Sequence, residues 1–241
     1  MAGKVGLVTG ATRGIGRAVA EMLLKEGANV AICGRRQDLV DQAVAEMNAV
    51  SHSSGYLNKV VGQAADVRKD EDVAALFRFV DHSFGGTDVL VNNAGVGVFK
   101  PVGEISIDDW KLVLETNLNG AFYCTREALF RFATRGGGYV VNISSLAGKN
   151  PFAGGSAYNA SKFGLNGFSE AAMLDARNDN VRVSYVMPGS VATEFGMTAE
   201  RGSEWKIWPE DIAEIVRMLL LTPARTLISR VEVRPSRPKS K

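Results

Sequence analysis

The stretch Lys4-Val5-Gly6-Leu7-Val8-Thr9-Gly10-Ala11-Thr12-Arg13-Gly14-Ile15-Gly16 decides the fold. Residues 4–9 read as a buried strand, the glycines as a turn, and residues 14–26 as an amphipathic helix. Glycines at this junction permit a tight turn and a close backbone approach to a pyrophosphate. The helix N-terminus then offers free N–H groups and the positive end of its dipole. A glycine turn after one strand is weak evidence by itself. Its place at the head of a strand–helix–strand unit gives it weight.

Outward from that turn the same alternation continues. Strands are predicted over 4–9, 29–33, 59–63, 87–92, 138–143, 181–187 and 226–233. Helices are predicted between them over 14–26, 37–50, 70–84, 108–134, 157–177 and 209–221. Most strands are continuous apolar runs, as expected of parallel strands covered on both faces. The chain therefore predicts one α/β domain over 1–241, a doubly wound, Rossmann-type, seven-stranded parallel sheet with helices on both faces and a flexible tail near 235–241. Ser106 and Asp109 read as a capping box for the fourth helix, and Pro209 with Glu210 and Asp211 as a helix start. Ligands of such sheets sit beyond the carboxyl ends of the strands.

The second strand ends Gly34-Arg35-Arg36, with no acid before Asp38. An acid here would hydrogen-bond a ribose 2′-hydroxyl, whereas arginines offer charge and paired donors to a 2′-phosphate. Arg13 faces the same region from within the glycine turn. The plainer alternative is three solvated arginines, but position and missing acid agree, and the cofactor is expected to be NADP(H).

Tyr158 and Lys162 open the sixth helix four residues apart and share a face. A phenol titrates near 10, and a neighbouring ammonium lowers that value, so Tyr158 is expected to exchange a proton with a carbonyl or alcohol oxygen. The pair alone is more often an ordinary surface contact. Ser144-Ser145 follows the fifth strand, where a hydroxyl polarises a carbonyl or merely caps a turn. Asn117 lies in a strong helical pattern, which disfavours asparagine. It marks either a local kink with a functional carbonyl or an exposed polar position.

Together these motifs resemble those of the short-chain dehydrogenases/reductases over almost the whole chain. They are Thr9-Gly10-x-x-x-Gly14-x-Gly16, Asp66-Val67, Asn92-Asn93-Ala94-Gly95, Asn117, Ser145, Tyr158-x-x-x-Lys162 and Pro188-Gly189-x-x-x-Thr193. The resemblance implies a catalytic set of Asn117, Ser145, Tyr158 and Lys162. In it Lys162 also holds the nicotinamide ribose and Asn117 a relay water. It implies cofactor contacts from Gly10, Thr12, Arg13, Gly14, Ile15, Gly16, Arg35, Arg36, Asp66, Val67, Asn93, Ala94, Gly95, Pro188, Gly189, Val191 and Thr193. Asp66 and Val67 would flank adenine, Asn92 would lie near the ribose, and Asn93 would brace the central strand. Family members are usually dimers or tetramers joined through the two long helices, here 108–134 and 157–177, so a homodimer or homotetramer is expected; from sequence alone those apolar faces equally suit packing on the sheet. The ending Val231-Glu232-Val233-Arg234-Pro235 is closer to 3-hydroxy-acid dehydrogenases and sepiapterin-reductase-like members than to 3-oxoacyl carrier-protein reductases. The expected reaction is the interconversion of a carbonyl and a secondary alcohol. The rivals are 3-oxoacyl thioester reduction and NADP(H)-dependent regulation without turnover.

The substrate should meet residues 96–100, 146–155 and 194–208. Phe99, Phe152, Phe195, Met197, Trp205 and Trp208 would supply an apolar wall, or simply pack. Lys100, Lys149 and Arg201 would attract an acid, or simply be solvated. A net charge of +2 and a short basic tail broken by prolines argue against nucleic acid. No apolar run reaches the roughly 20 residues of a membrane span. With no leader pattern at the start and two distant apolar cysteines, a cytoplasmic location is expected. His52 and His82 have no companions at metal spacing, and no metal is expected.

Overall fold

The computed structural model describes residues 1–54, 57–193 and 205–237. The chain alternates β1 (Val5–Thr9), α1 (Gly14–Lys25), β2 (Asn29–Gly34), α2 (Gln37–Ser53), β3 (Val60–Ala64), α3 (Asp70–Phe84) and β4 (Val89–Asn92). There follow α4 (Ile107–Leu114), a π turn (Glu115–Asn119), α5 (Gly120–Arg135), β5 (Gly138–Ile143) and a 3₁₀ turn (Leu146–Gly148). The remainder is α6 (Ser156–Ala176), a second 3₁₀ turn (Arg177–Asp179), β6 (Val181–Pro188), α7 (Pro209–Leu221) and β7 (Arg230–Val233).

The seven strands form one sheet in the order β3-β2-β1-β4-β5-β6-β7, every pairing parallel. Alternate strand residues feed two cores, which explains the continuous apolar runs. Val8, Ile32, Val91 and Val141 point to one side, under Leu23 of α1, Met47 of α2 and Val216 of α7. Leu7, Cys33, Leu90 and Val140 point to the other, under Phe77 of α3, Phe132 of α5 and Ala176 of α6. The chain reverses its direction of travel across the sheet between β1 and β4, so their carboxyl ends open the ligand crevice.

Several elements depart from the predicted bounds. The fourth helix is not continuous: at the π turn the Gly120 N–H donates to the Glu115 carbonyl, five residues back. Asn117 sits inside that turn, so it marks a kink and is not an exposed polar position. β4 starts at Val89, and just before it the Asp88 carboxylate accepts hydrogen bonds from the Val5 N–H (2.9 Å), Lys4 Nζ (3.1 Å) and Arg135 Nη2 (2.8 Å). β7 begins only at Arg230, since Thr226 N–H closes a turn on the Pro223 carbonyl. The capping box is half formed: Ser106 Oγ accepts from Asp109 N–H at 3.0 Å, while the Asp109 carboxylate pairs with Lys100.

Burial pushes the Asp88 carboxyl up, but its bonds from Arg135, Val5 and Lys4 prevail and hold it below the ordinary carboxylate value. A depressed folded pKa stabilises above the unfolded value, and that contribution disappears as pH falls through the folded one. Asp88→Ala should therefore lower unfolding stability in urea at pH 7 by about 1–3 kcal/mol, leaving a buried N–H unpaired. The deficit should shrink on acidification below about pH 4. An equal deficit at acid and neutral pH would contradict this account.

Candidate active site

The cofactor side is built where β1 meets β4. Thr9 Oγ1 accepts from both the Asn93 and Ala94 N–H groups at 3.0 Å, and Asn93 Nδ2 donates to the Thr9 and Gly10 carbonyls at 2.9 Å. Asn93 thus braces the glycine turn. Gly10 has φ +63°, and a Cβ there would lie 2.8 Å from Ala94 Cα, so two backbones meet where no side chain fits. At Gly16 a Cβ would strike Asn93 Nδ2 at 2.4 Å. Thr12 lies beside Gly34 at the end of β2, and Ile15 packs against the core. Gly95 approaches Asn117 Oδ1, and Gly14 faces the Thr193 methyl.

At the rim, Arg13 is the N-cap residue of α1 and Arg35 lies exposed just past β2. Arg36 is turned onto Asp38 in an ion pair, so the predicted fork of neighbouring arginines is not formed as such. Asp66 is gripped by Arg68, whose Nε reaches both carboxylate oxygens at 2.9 Å. That contact chiefly, with a smaller effect from Arg35, holds Asp66 below the ordinary carboxylate range. Val67 is buried against Gly120. Asn92 is turned inward, its Nδ2 donating to Asn142 Oδ1 (2.8 Å) and Thr125 Oγ1 (3.0 Å), so its amide lies inside the sheet–helix core and not at a ribose.

The far side is held by the end of β6. Gly189 N–H, next to Pro188, donates to the Val233 carbonyl at 2.8 Å. Val191 forms an isolated bridge with Ile207, and Thr193 N–H closes on the Val191 carbonyl at 2.9 Å. Trp208 is exposed and Trp205 half-buried. Phe195, Met197 and Arg201, expected at the substrate, lie outside the described residues.

The catalytic candidates converge between β5 and α6. Lys162 is buried and donates to the Ile143 carbonyl at 2.9 Å, with its Nζ 5.8 Å from the Tyr158 ring centroid. Ser145 Oγ accepts from Ala147 N–H at 3.1 Å, so it does cap a turn, and it also hydrogen-bonds Tyr158. Asn117 Oδ1 accepts from Val96 N–H (2.8 Å), and its Nδ2 donates to the Val96 carbonyl (2.9 Å) and Ser161 Oγ (3.0 Å). Its side chain is therefore a strut between the β4 loop and α6. The charge state differs from the expectation that Lys162 lowers the tyrosine. Burial pushes the Tyr158 hydroxyl up, with partial relief from Ser145, and burial brings Lys162 down to about 8.

Two site residues escaped the sequence reading. Asn166 Oδ1 accepts from Ser144 Oγ at 2.5 Å while its Nδ2 donates to the Gly148 carbonyl at 3.0 Å, closing the Ser145 loop from both ends. Asn159 is buried and donates to the Ala147 carbonyl at 2.7 Å. With Lys162 they lie three and four residues apart, one face of α6, and that spacing was the available signal.

A family model described as short chain dehydrogenase matches residues 4–204. The chain belongs to this family. It is 38% identical over 211 residues to a 3beta-hydroxysteroid dehydrogenase of Mediterraneibacter gnavus, covering 87% of this chain and 73% of that one. Among solved structures, a metagenomic short-chain oxidoreductase in complex with NADP superposes with a TM-score of 0.84 at 36% identity, covering 98% of this chain and 99% of that one. A variant of the actinorhodin polyketide ketoreductase with NADPH gives 0.87 at 31% identity, covering 96% of each chain.

Removing the Asn166 amide leaves the Ser144 hydroxyl and Gly148 carbonyl without that partner. Asn166→Ala should cost about 1–3 kcal/mol in urea unfolding. Unchanged stability would mean the loop holds its shape without the amide.

Proposed function

We propose that this short-chain dehydrogenase is an NADP(H)-dependent oxidoreductase that interconverts a carbonyl compound and its alcohol, with Tyr158 as the general acid and base. The observation that carries the reading is the convergence of the Ser145 and Tyr158 hydroxyls with the buried Lys162 ammonium at the end of β5. The whole chain would act as one domain. The NADP complexes among its structural relatives support the cofactor assignment.

The residues present fit such a cofactor. The glycine turn closes through Gly10 against Ala94 and leaves bare backbone at Gly14, where the first N–H groups of α1 would receive a pyrophosphate. Arg35 and Arg13 stand where a 2′-phosphate would lie, and no acid stands at the end of β2 to favour a ribose hydroxyl. Val191 and Thr193 would border the carboxamide, and Lys162 the nicotinamide ribose. When bound, the nicotinamide supplies or accepts the hydride at the carbonyl carbon.

In the reductive direction Ser145 holds the carbonyl oxygen and Tyr158 gives it a proton. Because burial keeps Tyr158 a neutral phenol at neutral pH, it begins the step as a donor. The phenolate left behind is stabilised by the Ser145 hydrogen bond and by the Lys162 charge. Asn117 acts by fixing Ser161, and so α6, against the β4 loop. The exposed Phe122, Phe130 and Phe163 on α5 and α6 support self-association through those helices.

Tyr158→Phe should lower kcat about 10²–10⁴-fold while NADPH still binds. Reductive turnover should fall as pH rises through about 8, where Lys162 loses its proton. A flat profile from pH 7 to 9 would contradict the role given to the ammonium. Arg35→Ala should weaken NADPH binding about tenfold or more and NADH binding little, as followed by nicotinamide fluorescence. Equal weakening of both would remove the phosphate assignment.

A further inference from the structure

The loops bordering the Tyr158 hydroxyl carry an aromatic shelf. The Phe99 ring meets the Tyr158 ring edge-on, centroids 5.6 Å apart at 72°, and Phe152 extends it at 5.8 Å and 47°. Phe99 and Phe152 are 44% and 47% exposed. Packing therefore does not account for them, since a ring placed only to fill a core would be covered.

The shelf is built rather than accidental. Lys100, next to Phe99, forms a parallel β-bridge with Gly155, which ties the two loops together. Gly155 needs to be glycine, because a Cβ would lie 2.6 Å from the Phe152 ring. The Asn159 amide holds the second loop to α6 from below.

Charge completes the picture. The two cations on these loops are both paired: Lys100 Nζ with Asp109 at 2.8 Å, and Lys149 Nζ with Glu232 at 2.5 Å. A carboxylate or phosphate entering here would compete with an acid already in place and lie against apolar ring surface, an unfavourable exchange. A flat, uncharged ring gains edge-to-face and offset contacts with both phenylalanines.

We infer that the substrate is a neutral ketone bearing an aromatic or planar cyclic group, which lies on Phe99 and Phe152 while its oxygen reaches Ser145 and Tyr158. This rests on the reaction proposed above. It disfavours free oxo acids and the long flexible thioesters of acyl-chain metabolism.

The test uses the purified full chain with NADPH and four probes: acetophenone, octan-2-one with the same carbon number, phenylglyoxylate with the same ring plus a carboxylate, and an acetoacetyl thioester of N-acetylcysteamine. Acetophenone should show the highest kcat/KM. Phe152→Leu keeps apolar bulk but removes the ring, so it should lower the acetophenone-to-octan-2-one ratio roughly two- to tenfold. Phe99→Leu should do the same. Preference for phenylglyoxylate or the thioester overturns the substrate class, as does a ratio unmoved in both variants. Loss of acetophenone turnover in Tyr158→Phe alongside such an unmoved ratio would leave the proposed reaction standing. Wild-type turnover in Tyr158→Phe would sink both.

Discussion

The hydrogen bonds between the ends of β1 and β4 position both halves of the site. Thr9 and Asn93 lock the glycine turn to the strand beside it. Three residues on, the Val96 backbone exchanges two hydrogen bonds with the Asn117 side-chain amide, which also donates to Ser161 on α6. The chain of contacts therefore runs from the cofactor cradle to the helix that bears Tyr158 and Lys162. The links are backbone groups, the amides of Asn93 and Asn117 and the hydroxyls of Thr9 and Ser161, so a shift of either half disturbs the other.

Burial acts on Tyr158 and Lys162, the proposed catalytic pair, in a way that neighbouring charge alone would not. It raises the phenol and lowers the ammonium, moving both toward their neutral forms. The Ser145 hydrogen bond works against this for Tyr158, and the Ile143 carbonyl accepts from Lys162. The result is a phenol that stays protonated in neutral solution beside an amine that gives up its proton near pH 8.

Much of this was legible in the sequence because it depends on periodicity and on glycine. The strand–helix alternation, the helix starts at Gly14, Asp70 and Pro209, and the anomaly at Asn117 all follow from which residues tolerate which backbone. What was not legible depends on which of two partners a flexible or interior side chain selects. Arg36 prefers Asp38 two residues away to the direction of Arg35. Asn92 turns into the core toward Asn142, fifty residues distant in the chain. Asn159 and Asn166 look like ordinary helix-surface residues until β5 and its loop are laid over them. Capping chemistry at Ser106 was half legible, because the competitor for Asp109, Lys100, arrives from a loop.

The π turn at Glu115–Asn119 has a consequence for how the gene can change. It holds one residue more than an α-helical turn and takes up that surplus locally, so α5 keeps its faces: Cys124, Ala128 and Phe132 are buried while Phe122 and Phe130 are exposed. Losing a single codon in this turn would remove the surplus and restore an uninterrupted helix, with the faces of α5 still in register with the sheet. The change would be felt at Asn117, whose bonds to Val96 and Ser161 are made from this widened turn, and not along α5.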